Sequence, residues 1–560
     1  MMNVSVKDWF KSGSPWVWLN AGAVSLCVIM VVGLLGLIAV KGLGHFWPST
    51  LYVTEYQTRS GEQKTLLGEI TDSELVSAVQ LKSAGYQVPE NLEYIDRQLL
   101  KVGNRDVYGQ DFRWVLSSSV TSQTVLEDMV GIERREWGNF YGQLVSVKEN
   151  GKTVVSVADA GFDATWEALQ ARIERALTLQ DEIHGIETGA IGSINYGLER
   201  LRLKERGLEL QGDTDPIKLQ GIVEERAALN AEYEVLKEEL NALYQQAQRD
   251  QLVATTIDGQ EVEMTLSKVV LAYAPNNMGL FDKIIHYIGK LGEFLLDDPR
   301  EANTEGGIFP AIFGTVMMVL LMSIMVTPFG VVAAVYLREY AKQGPVTQVI
   351  RIAVNNLAGV PSIVYGVFGL GFFIYFLGGS IDQLFYPEAL PAPTFGTPGL
   401  LWASLTLAIL TVPVVIVATE EGLSRIPRAV REGSLALGAT KFETLWRVVL
   451  PMSSPAIMTG VILAIARAAG EVAPLMLVGV VKLAPSLPLD WNYPFIHLDR
   501  KFMHLGFHIY DVGFQSPNVE AARPLVYATA FLLVLVIAVL NLAAVAIRNS
   551  LREKYKALEH

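Results

Sequence analysis

Residues 432–451 read EGSLALGATKFETLWRVVLP and separate two long apolar runs. The pattern predicts a short amphipathic helix with Glu432 in its first turn, where the helix macrodipole favours a carboxylate. Gly438 is expected to end that helix, because glycine adopts the left-handed conformation without a Cβ clash. Thr440, with Glu443 three residues later, is typical of a capping box that starts a second helix. The stretch is therefore predicted to consist of a short helix, a turn and the start of a second helix, between two apolar segments.

Four apolar side chains lie on this segment although it is expected to face water. Exposed apolar surface of this kind indicates a partner protein, and the alternative is a helix that lies on the lipid surface. The four residues are Leu437, Phe442, Leu445 and Trp446.

The composition indicates a membrane protein that carries a large polar insertion. Of the 560 residues, 51% are hydrophobic and 18% are charged, against about 25% charged residues in ordinary soluble proteins. Residues 41–306 hold 26 Lys and Arg against 43 Asp and Glu, a net charge of −17, while the rest of the chain carries +4. This distribution argues against nucleic-acid binding. The single cysteine, Cys27, excludes an intrachain disulfide and a cysteine-based metal site.

Six apolar segments are long enough to cross a bilayer core about 30 Å thick. The first is uncharged, is too long for a signal-peptide core and lacks a following cleavage site, so we expect a retained anchor. Pro413 interrupts the fourth segment, and Arg467 with Glu471 interrupts the fifth. The predicted spans are Trp16–Val40, Phe309–Leu337, Ile352–Leu377, Leu400–Thr419, Pro455–Val481 and Pro524–Ile547.

The positions of the basic residues predict the orientation of the spans. They precede the first span, follow the sixth, and occupy the connections between spans two and three and between spans four and five. Both termini and the 432–451 segment are therefore expected in the cytoplasm, and residues 41–306 outside. The last outer loop departs from the rule, since it also holds basic residues. The supporting residues are Lys7, Lys11, Arg338, Lys342, Arg351, Arg425, Arg428, Arg431, Lys441, Arg447, Arg548, Arg552, Lys554 and Lys556; the departures are Lys482, Arg500, Lys501 and Arg523.

The predicted organisation has four parts. Residues 1–40 are an N-terminus with the first span, 41–306 a periplasmic α+β domain, 307–550 the membrane domain and 551–560 a cytoplasmic tail. Within the external domain, Asn150-Gly151 and Asp258-Gly259 predict two β-hairpin turns. A heptad seam predicts a long antiparallel helical hairpin, whose leucine stripe serves helix packing or, as an alternative, the docking of another protein. The seam comprises Ile222, Leu229, Leu236 and Leu243, with Arg226, Tyr233, Leu240 and Ala247 beside it.

Two groups of polar residues lie inside the membrane segments. Arg467 and Glu471 are four residues apart, so they are expected to share one face of the fifth span. They form either a structural ion pair or a way-station for an anion, in which Arg467 attracts the anion and Glu471 limits how tightly it binds. Asn355, Asn356 and Ser362 are candidates to hydrogen-bond a passing oxyanion, the alternative being close packing of this glycine-rich helix.

The sequence gives no catalytic constellation and no metal site. His504 and His508 have the spacing of one helix face, but no carboxylate follows them in the zinc-protease pattern. We expect solvated or interface histidines there, and no residue is nominated as catalytic.

Three motifs together resemble the A-type permease of the high-affinity phosphate ABC importer, the PstA family. They are LAGVPSIVYGVFGLGFF at 357–373, Arg467-x-x-Gly470-Glu471, and the E-x5-G-x11-L-P spacing that marks the coupling helix of ABC-importer permeases. Gly433 and Ser434 stand where the family usually has alanine, and Val448 where it has isoleucine. The resemblance implies that the ATPase-coupling loop comprises Glu432, Gly433, Leu437, Gly438, Ala439, Phe442, Leu450 and Pro451.

The same resemblance implies the fold and the partners. The fold would be a mainly α, six-span type I ABC-importer permease with an inserted α+β domain. The partners would be a C-type permease in a heterodimer, two ATPase subunits and a periplasmic phosphate-binding protein at the bacterial inner membrane. ATP and Mg would be bound by the ATPase, with no cofactor in this chain.

Three other functions stay open from the sequence. The first is a permease for another oxyanion, such as sulfate or molybdate. The second is a force-transmitting ABC membrane protein whose external coiled coil acts on a periplasmic partner while nothing crosses the membrane. The third is a membrane-anchored enzyme, which the absence of a catalytic constellation disfavours.

Overall fold

The computed structural model describes residues 10–83, 85, 93–516 and 519–555, and within these six helices are long and apolar enough to cross a membrane. The predicted mainly α, six-span class is confirmed. Predicted features at Lys7 and Lys556 lie outside the described residues. The spans are Ser14–Phe46, Phe309–Tyr340, Ser362–Phe385, Leu400–Arg425, Lys441–Ala468 and Ala522–Glu553.

The predicted start of the third span at Ile352 is wrong. A separate helix, Pro345–Leu357, precedes it, and the span begins only at Ser362. Pro361 causes the break, because proline lacks an N–H and disfavours a helical conformation in the residue before it. The hydroxyl of Tyr365 donates to the carbonyl of Leu357 at 2.6 Å and ties the two helices across the break.

The predicted end of the fifth span at Val481 is also wrong. The helix ends at Ala468, and the chain continues through a loop to the short helix Leu475–Val478. This returning segment packs on the third span, where a Cβ at Gly366 would lie 2.7 Å from the Cα of Pro474. Only glycine at position 366 allows that approach.

The fourth span, Leu400–Arg425, forms the centre of the bundle and is the most buried of the six. Small residues bring its neighbours close. A Cβ at Gly330 in span two would lie 2.6 Å from the side chain of Val415, and one at Gly460 in span five 2.7 Å from that of Ala418. The first span stands at the edge and touches the sixth through Gly42.

The described part of the insertion contains two large antiparallel sheets with the same connectivity, and a two-stranded antiparallel sheet of Pro299–Arg300 with Glu305–Gly306. The first has the order β4-β3-β2-β1-β5 and the second β10-β9-β7-β6-β11, with β8 paired to β7. In each, a 3-10 turn joins the last two strands, at Ser117–Ser119 and Leu266–Lys268. The strands are Leu51–Gln57 (β1), Gln63–Ser77 (β2), Tyr94–Lys101 (β3), Phe112–Leu116 (β4), Val120–Thr124 (β5), Met129–Arg134 (β6), Phe140–Glu149 (β7), Lys152–Ser156 (β8), Asp250–Thr255 (β9), Glu261–Thr265 (β10) and Val269–Tyr273 (β11).

Both predicted β-turns are confirmed. Asn150 and Gly151 have φ of 50° and 74°, and β7 pairs with β8 around them. Gly259 has φ of 82° in the turn between β9 and β10. These positive φ angles are the reason that Asn-Gly and Asp-Gly favour such turns.

The predicted helical hairpin is present between β8 and β9. One arm is Val157–His184, the π-helical turn Gly185–Ala190 and Ile191–Gln211; the other is Pro216–Ala247, capped by Asp215. The seam residues Ile222 and Ala247 are buried, and the other members of the stripe are less exposed than their neighbours. The prediction that this stripe packs one helix on the other is confirmed.

The insertion and the 432–451 segment lie at opposite ends of the spans. The start of the fourth span meets the 490–500 loop, where the amide of Leu400 donates to the carbonyl of Arg500 at 2.9 Å. The helical hairpin rests on that loop, since Tyr196 hydrogen-bonds the carbonyl of Tyr493. The other end of the fourth span leads directly into the 432–451 segment.

Candidate functional site

The first helix of the candidate coupling segment starts earlier than predicted. It runs Arg428–Ala436 after Pro427, so Glu432 lies in its second turn and the prediction of a first-turn position is wrong. Pro427 is the non-helical N-cap residue, with ψ of 143°, and proline disfavours a helical conformation in the residue before it, so the helix starts at Arg428. Glu432 is exposed there, which leaves its carboxylate available to a partner rather than to the helix dipole.

The predicted turn and second helix start are confirmed. Gly438 has φ of 89°, and the amide of Ala439 donates to the carbonyl of Ser434 at 3.3 Å, as in a Schellman-type helix end. Thr440 Oγ1 accepts from the amide of Glu443 at 3.2 Å, and Glu443 Oε2 accepts from the amide of Thr440 at 2.9 Å. The turn is thus fixed by backbone conformation and two reciprocal hydrogen bonds.

Three large apolar side chains form an exposed edge on this segment. Leu437 is 91% exposed, Phe442 66% and Trp446 64%. The rings of Phe442 and Trp446 stack with centroids 6.3 Å apart. Leu445, also expected to face water, is instead buried with Val449 beneath the segment. We refer to Leu437, Phe442 and Trp446 as the apolar edge.

The remaining residues predicted for the coupling loop lie along the same segment. Gly433 is exposed in the first helix and Ala439 is half-buried after the turn. Leu450 and Pro451 lie within the fifth span, where the π-helical turn Leu445–Val449 passes into the helix Leu450–Ala468.

An anchor that sequence reasoning missed ties the segment to the second span. Arg431 Nη2 lies 2.9 Å from Glu339 Oε1, and the same guanidinium donates to the carbonyls of Ile426 and Leu423 at 2.7 Å each. Lys441 donates to the carbonyl of Glu339 and lies over the ring of Tyr340. Since 92 residues separate Arg431 from Glu339, the sequence offers no local signal for this pair.

Arg467 and Glu471 come together, but not on one helix. The helix ends at Ala468, so Glu471 lies beyond it and the predicted shared helix face is wrong. Their charged groups still approach to 3.9 Å. The guanidinium also points at the carbonyl of Ala358, at 3.4 Å, beside the break that precedes the third span. The arginine is about one-third exposed, which leaves part of its charge free to meet a solute.

The neutral polar candidates lie near the same break. Asn355 and Asn356 are exposed in the last turn of the helix Pro345–Leu357, and Ser362 is the first residue of the third span. Arg467 contacts Ala358, which lies between the asparagines and the serine. The break therefore brings the predicted path residues into one region, while their role in transport stays a prediction.

The expectation that His504 and His508 face solvent or an interface is wrong. Both are buried, His504 accepts a hydrogen bond from the amide of Gly506 at 3.1 Å, and burial lowers both pKa values to about 4. They are neutral at physiological pH. Within the described part of the chain no group of three or more metal-ligating side chains is found.

Comparison with known proteins places these features in a family. The sequence profile described as "Binding-protein-dependent transport system inner membrane component" matches residues 326–554. The phosphate transport system permease protein PstA 1 of Mycobacterium tuberculosis (strain CDC 1551 / Oshkosh) is 35% identical over 244 residues, which are 43% of this chain and 71% of the relative. PstA of Mycobacterium leprae (strain TN) is 36% identical over 244 residues, with the same two coverages.

A solved structure also matches part of the chain. It is an inward-facing form of the MetNI methionine ABC transporter, 17% identical, with a TM-score of 0.31 over 43% of this chain and 94% of that one.

Proposed function

This chain belongs to the PstA family of ABC-importer permeases, and from that premise we propose that it forms half of the translocation path of an ATP-driven phosphate importer. As a family member it is a multi-pass inner-membrane transporter subunit rather than an enzyme, and hydrolysis takes place in a partner ATPase. Such permeases work with a partner permease, ATPases and a substrate-binding protein.

The finer assignments extend this proposal. The partner permease is the C-type phosphate permease in a heterodimer, two ATPase subunits bind ATP and Mg, and a periplasmic phosphate-binding protein delivers the anion. The matched relatives are named as phosphate permeases, which supports phosphate over sulfate or molybdate.

The observation that carries the coupling role is the position of the apolar edge. Leu437, Phe442 and Trp446 are exposed at the end of the spans opposite the acidic insertion. With the insertion outside, this end and both termini are cytoplasmic, where ATPases are found. Exposed apolar side chains on a rigid turn are suited to bind in a groove of a partner. Burial of the side chains supplies affinity, and a turn that is already ordered loses little conformational entropy on binding.

Transmission of movement follows from the anchors beneath that edge. The apolar edge is carried by a segment that Arg431 and Lys441 tie to Glu339 at the end of the second span. The same segment is continuous with spans four and five. A displacement of the turn by an ATPase therefore moves three spans together rather than a free loop.

Arg467 supplies the positive charge in this path. Its side chain faces the break before the third span and is held by a loose 3.9 Å pair with Glu471 and a contact to the carbonyl of Ala358. A guanidinium partly neutralised in this way attracts an oxyanion without binding it too tightly to release. Asn355, Asn356 and Ser362 add neutral hydrogen bonds beside it.

Arg467→Ala should abolish phosphate uptake while the protein still inserts and assembles. The side chain is partly exposed, so we expect its loss to affect folding little. Arg467→Lys, which keeps the charge but loses the planar fork, should retain partial uptake. Uptake into proteoliposomes is the measurement, and unchanged uptake in Arg467→Ala would assign the arginine a purely structural role.

The substrate is tested in the complete complex. ATPase activity is measured with the binding protein present, in the presence of phosphate or of sulfate. We expect phosphate alone to stimulate hydrolysis. Stimulation by sulfate, with none by phosphate, would contradict the phosphate assignment and leave the permease assignment intact.

One observation favours a second candidate, force transmission to a periplasmic partner. The helical hairpin contacts an outer loop of the membrane domain through Ser193 and Tyr196. A movement of that loop would therefore be passed to the insertion. ATP-driven movement of the hairpin without any uptake would favour this function over import.

A further inference from the structure

The helix Leu280–Leu296, which we term the juxtamembrane helix, leaves one face apolar and uncovered. The helix is about 25 Å long at 1.5 Å per residue. Its exposed large side chains follow the 3.6-residue period, so they form one stripe. The stripe comprises Leu280 (70% exposed), Phe281 (73%), Ile284 (40%), Ile285 (55%), Ile288 (62%), Leu295 (38%) and Leu296 (71%).

Ion pairs on another face hold the helix against the insertion. Lys290 Nζ lies 2.6 Å from Glu133 Oε2 on β6, and Glu293 pairs with Arg300. His286 lies against Tyr273 on β11, with ring centroids 5.0 Å apart. Because these groups are largely buried, the helix cannot rotate to hide its apolar stripe in the insertion without breaking them.

A third face packs where the first span leaves the membrane. Phe294 meets Phe46 with ring centroids 4.9 Å apart, and Tyr287 meets Trp47 at 5.9 Å. Phe46 is the last residue of the first span. Tryptophan and tyrosine concentrate at the membrane–water interface, where one end of the ring is apolar and the other wet.

The end of the juxtamembrane helix is also fixed to the start of the second span. The amide of Ile308 donates to the carbonyl of Phe294 at 2.9 Å, and that of Phe309 to the carbonyl of Asp297 at 3.2 Å. A Cβ at Gly307 would lie 2.2 Å from the carbonyl oxygen of Asp297, so the chain turns here with no room for a side chain. The juxtamembrane helix is therefore fixed beside the ends of two spans.

We propose that the juxtamembrane helix lies in the outer interface of the bilayer and anchors the external domain on the lipid. Its length is below the roughly 20 residues that a span requires, and it is amphipathic, as interfacial helices are. Its exposed flanking charges Asp282, Asp297 and Asp298 are acidic, so the attraction is apolar rather than a response to anionic headgroups. This inference holds whichever anion is transported.

The test uses nitroxide labels on the complete transporter in phosphatidylcholine nanodiscs. Cys27 is the single cysteine of this chain, so Cys27→Ser removes the native labelling site from it, and a complex with no introduced cysteine gives the background of the partner subunits. Cysteines are then introduced singly at Phe281, Ile284 and Ile288. Asp282 on the same helix and Val235 on the exposed side of the hairpin are the matched controls. Collision rates with oxygen, which concentrates in lipid, and with a water-soluble nickel chelate are measured for each label.

We expect oxygen to exceed nickel accessibility at the three stripe positions and nickel to exceed oxygen at both controls. The pattern should be the same in 1 M salt and when anionic lipid is added. Stripe labels that nickel reaches freely would place the helix in water, and labels shielded from both reagents would place a protein there. Either result overturns the proposal, as does lipid contact that appears only with anionic lipid. All the replaced side chains are exposed, and intact complex on size exclusion confirms that each variant is folded.

Discussion

Glu305 is a carboxylate whose surroundings raise its pKa. It lines a cavity of about 140 Å³ between the insertion and the membrane helices. Burial raises the pKa of Glu305 to about 7; nearby carboxylates, among them Glu133, reinforce the rise, and Lys101 opposes it. The ordinary pKa is 4.5, so between about pH 4.5 and pH 7 the folded protein holds a proton at Glu305 that the unfolded chain releases.

Glu305→Gln should stabilise the protein at high pH. With the folded pKa raised, the stability that Glu305 contributes is complete below about pH 4.5 and is lost as pH rises through 7. Because the amide of glutamine does not ionise, the variant should have a free energy of unfolding higher than the wild type by at most about 3 kcal/mol at pH 8. The difference should be small at pH 5. Thermal unfolding of the purified complex at both pH values measures it.

The control for this prediction is Glu62→Gln. Glu62 has a side chain 64% exposed, so the change should not affect the pH dependence. A Glu305→Gln variant no more stable than the wild type at pH 8 would show that the carboxylate is already solvated or paired.

Gly438→Val should uncouple the ATPase. Nothing lies within 4 Å of a Cβ there, so the effect is conformational: φ of 89° is strained for a β-branched residue, by about 1–2 kcal/mol. Gly433→Ala is the matched control, since it lies in a helix with open space around it. Co-purified ATPase and its substrate-stimulated activity are measured, and equal coupling in both variants would refute the role of the turn.

At the scale of single residues, the sequence predicts those features that depend on neighbouring residues in the chain. Gly438 and the Thr440–Glu443 capping box follow from rules that act within a few residues, and both are confirmed. The pairing of Arg431 with Glu339 depends on how distant helices pack, which no local pattern records. The position of Glu432 was mispredicted because Pro427 starts its helix a turn earlier.

At the scale of elements, hydropathy located the spans and missed their interruptions. The apolar run around Pro361 continues without a change in polarity, so the break after Leu357 is invisible to hydropathy. Arg467 and Glu471 do interrupt the fifth run, but the apolar residues that follow them extended the predicted span past the helix end at Ala468. Steric rules for proline and glycine were needed in addition. The juxtamembrane helix was missed for a different reason: its seventeen residues are too few for a span, and its apolar side chains form one face instead of an unbroken run.

Arg431→Met should loosen the coupling segment from the second span. The change removes hydrogen bonds to two carbonyls and leaves the carboxylate of Glu339 without its partner, at a cost of about 2 kcal/mol. We expect weaker stimulation of the ATPase and faster proteolysis near the segment. Arg425→Met is the control, because Arg425 is 79% exposed and makes only a 3.8 Å pair with Glu421. Identical proteolysis of the two variants would contradict the anchoring role.

At the scale of the whole molecule, the insertion and the membrane domain meet at a braced loop. Ser193 Oγ lies 3.0 Å from Asn492 Oδ1, and Asp490 braces the loop from within through Arg500 and His497. Burial works against the charge of Asp490, but hydrogen bonds from Arg500, the Asn492 amide and His497 lower its pKa to about 2. The loop therefore keeps its internal ion pair with Arg500 throughout the physiological pH range.

Tyr196→Ala should release this loop from the helical hairpin. The hydroxyl bonds the carbonyl of Tyr493, and the ring lies 6.1 Å from that of His497. Hydrogen exchange in residues 490–497 should rise severalfold, while exchange in the 432–451 segment stays constant. Ile217→Ala, at an 81% exposed residue of the other helix, is the control. Unchanged exchange in 490–497 would show that the hairpin does not support the loop.

The central claim, that a cytoplasmic ATPase docks on the apolar edge, is tested most directly by photo-crosslinking in intact cells. A photoreactive residue is placed at Leu437, and a second variant carries it at Val235 on the external hairpin; both sites are exposed. We predict that Leu437 crosslinks to the ATPase subunit and that Val235 does not. Crosslinking of the ATPase from Val235, or of Leu437 only to lipid or to a periplasmic protein, would contradict the account.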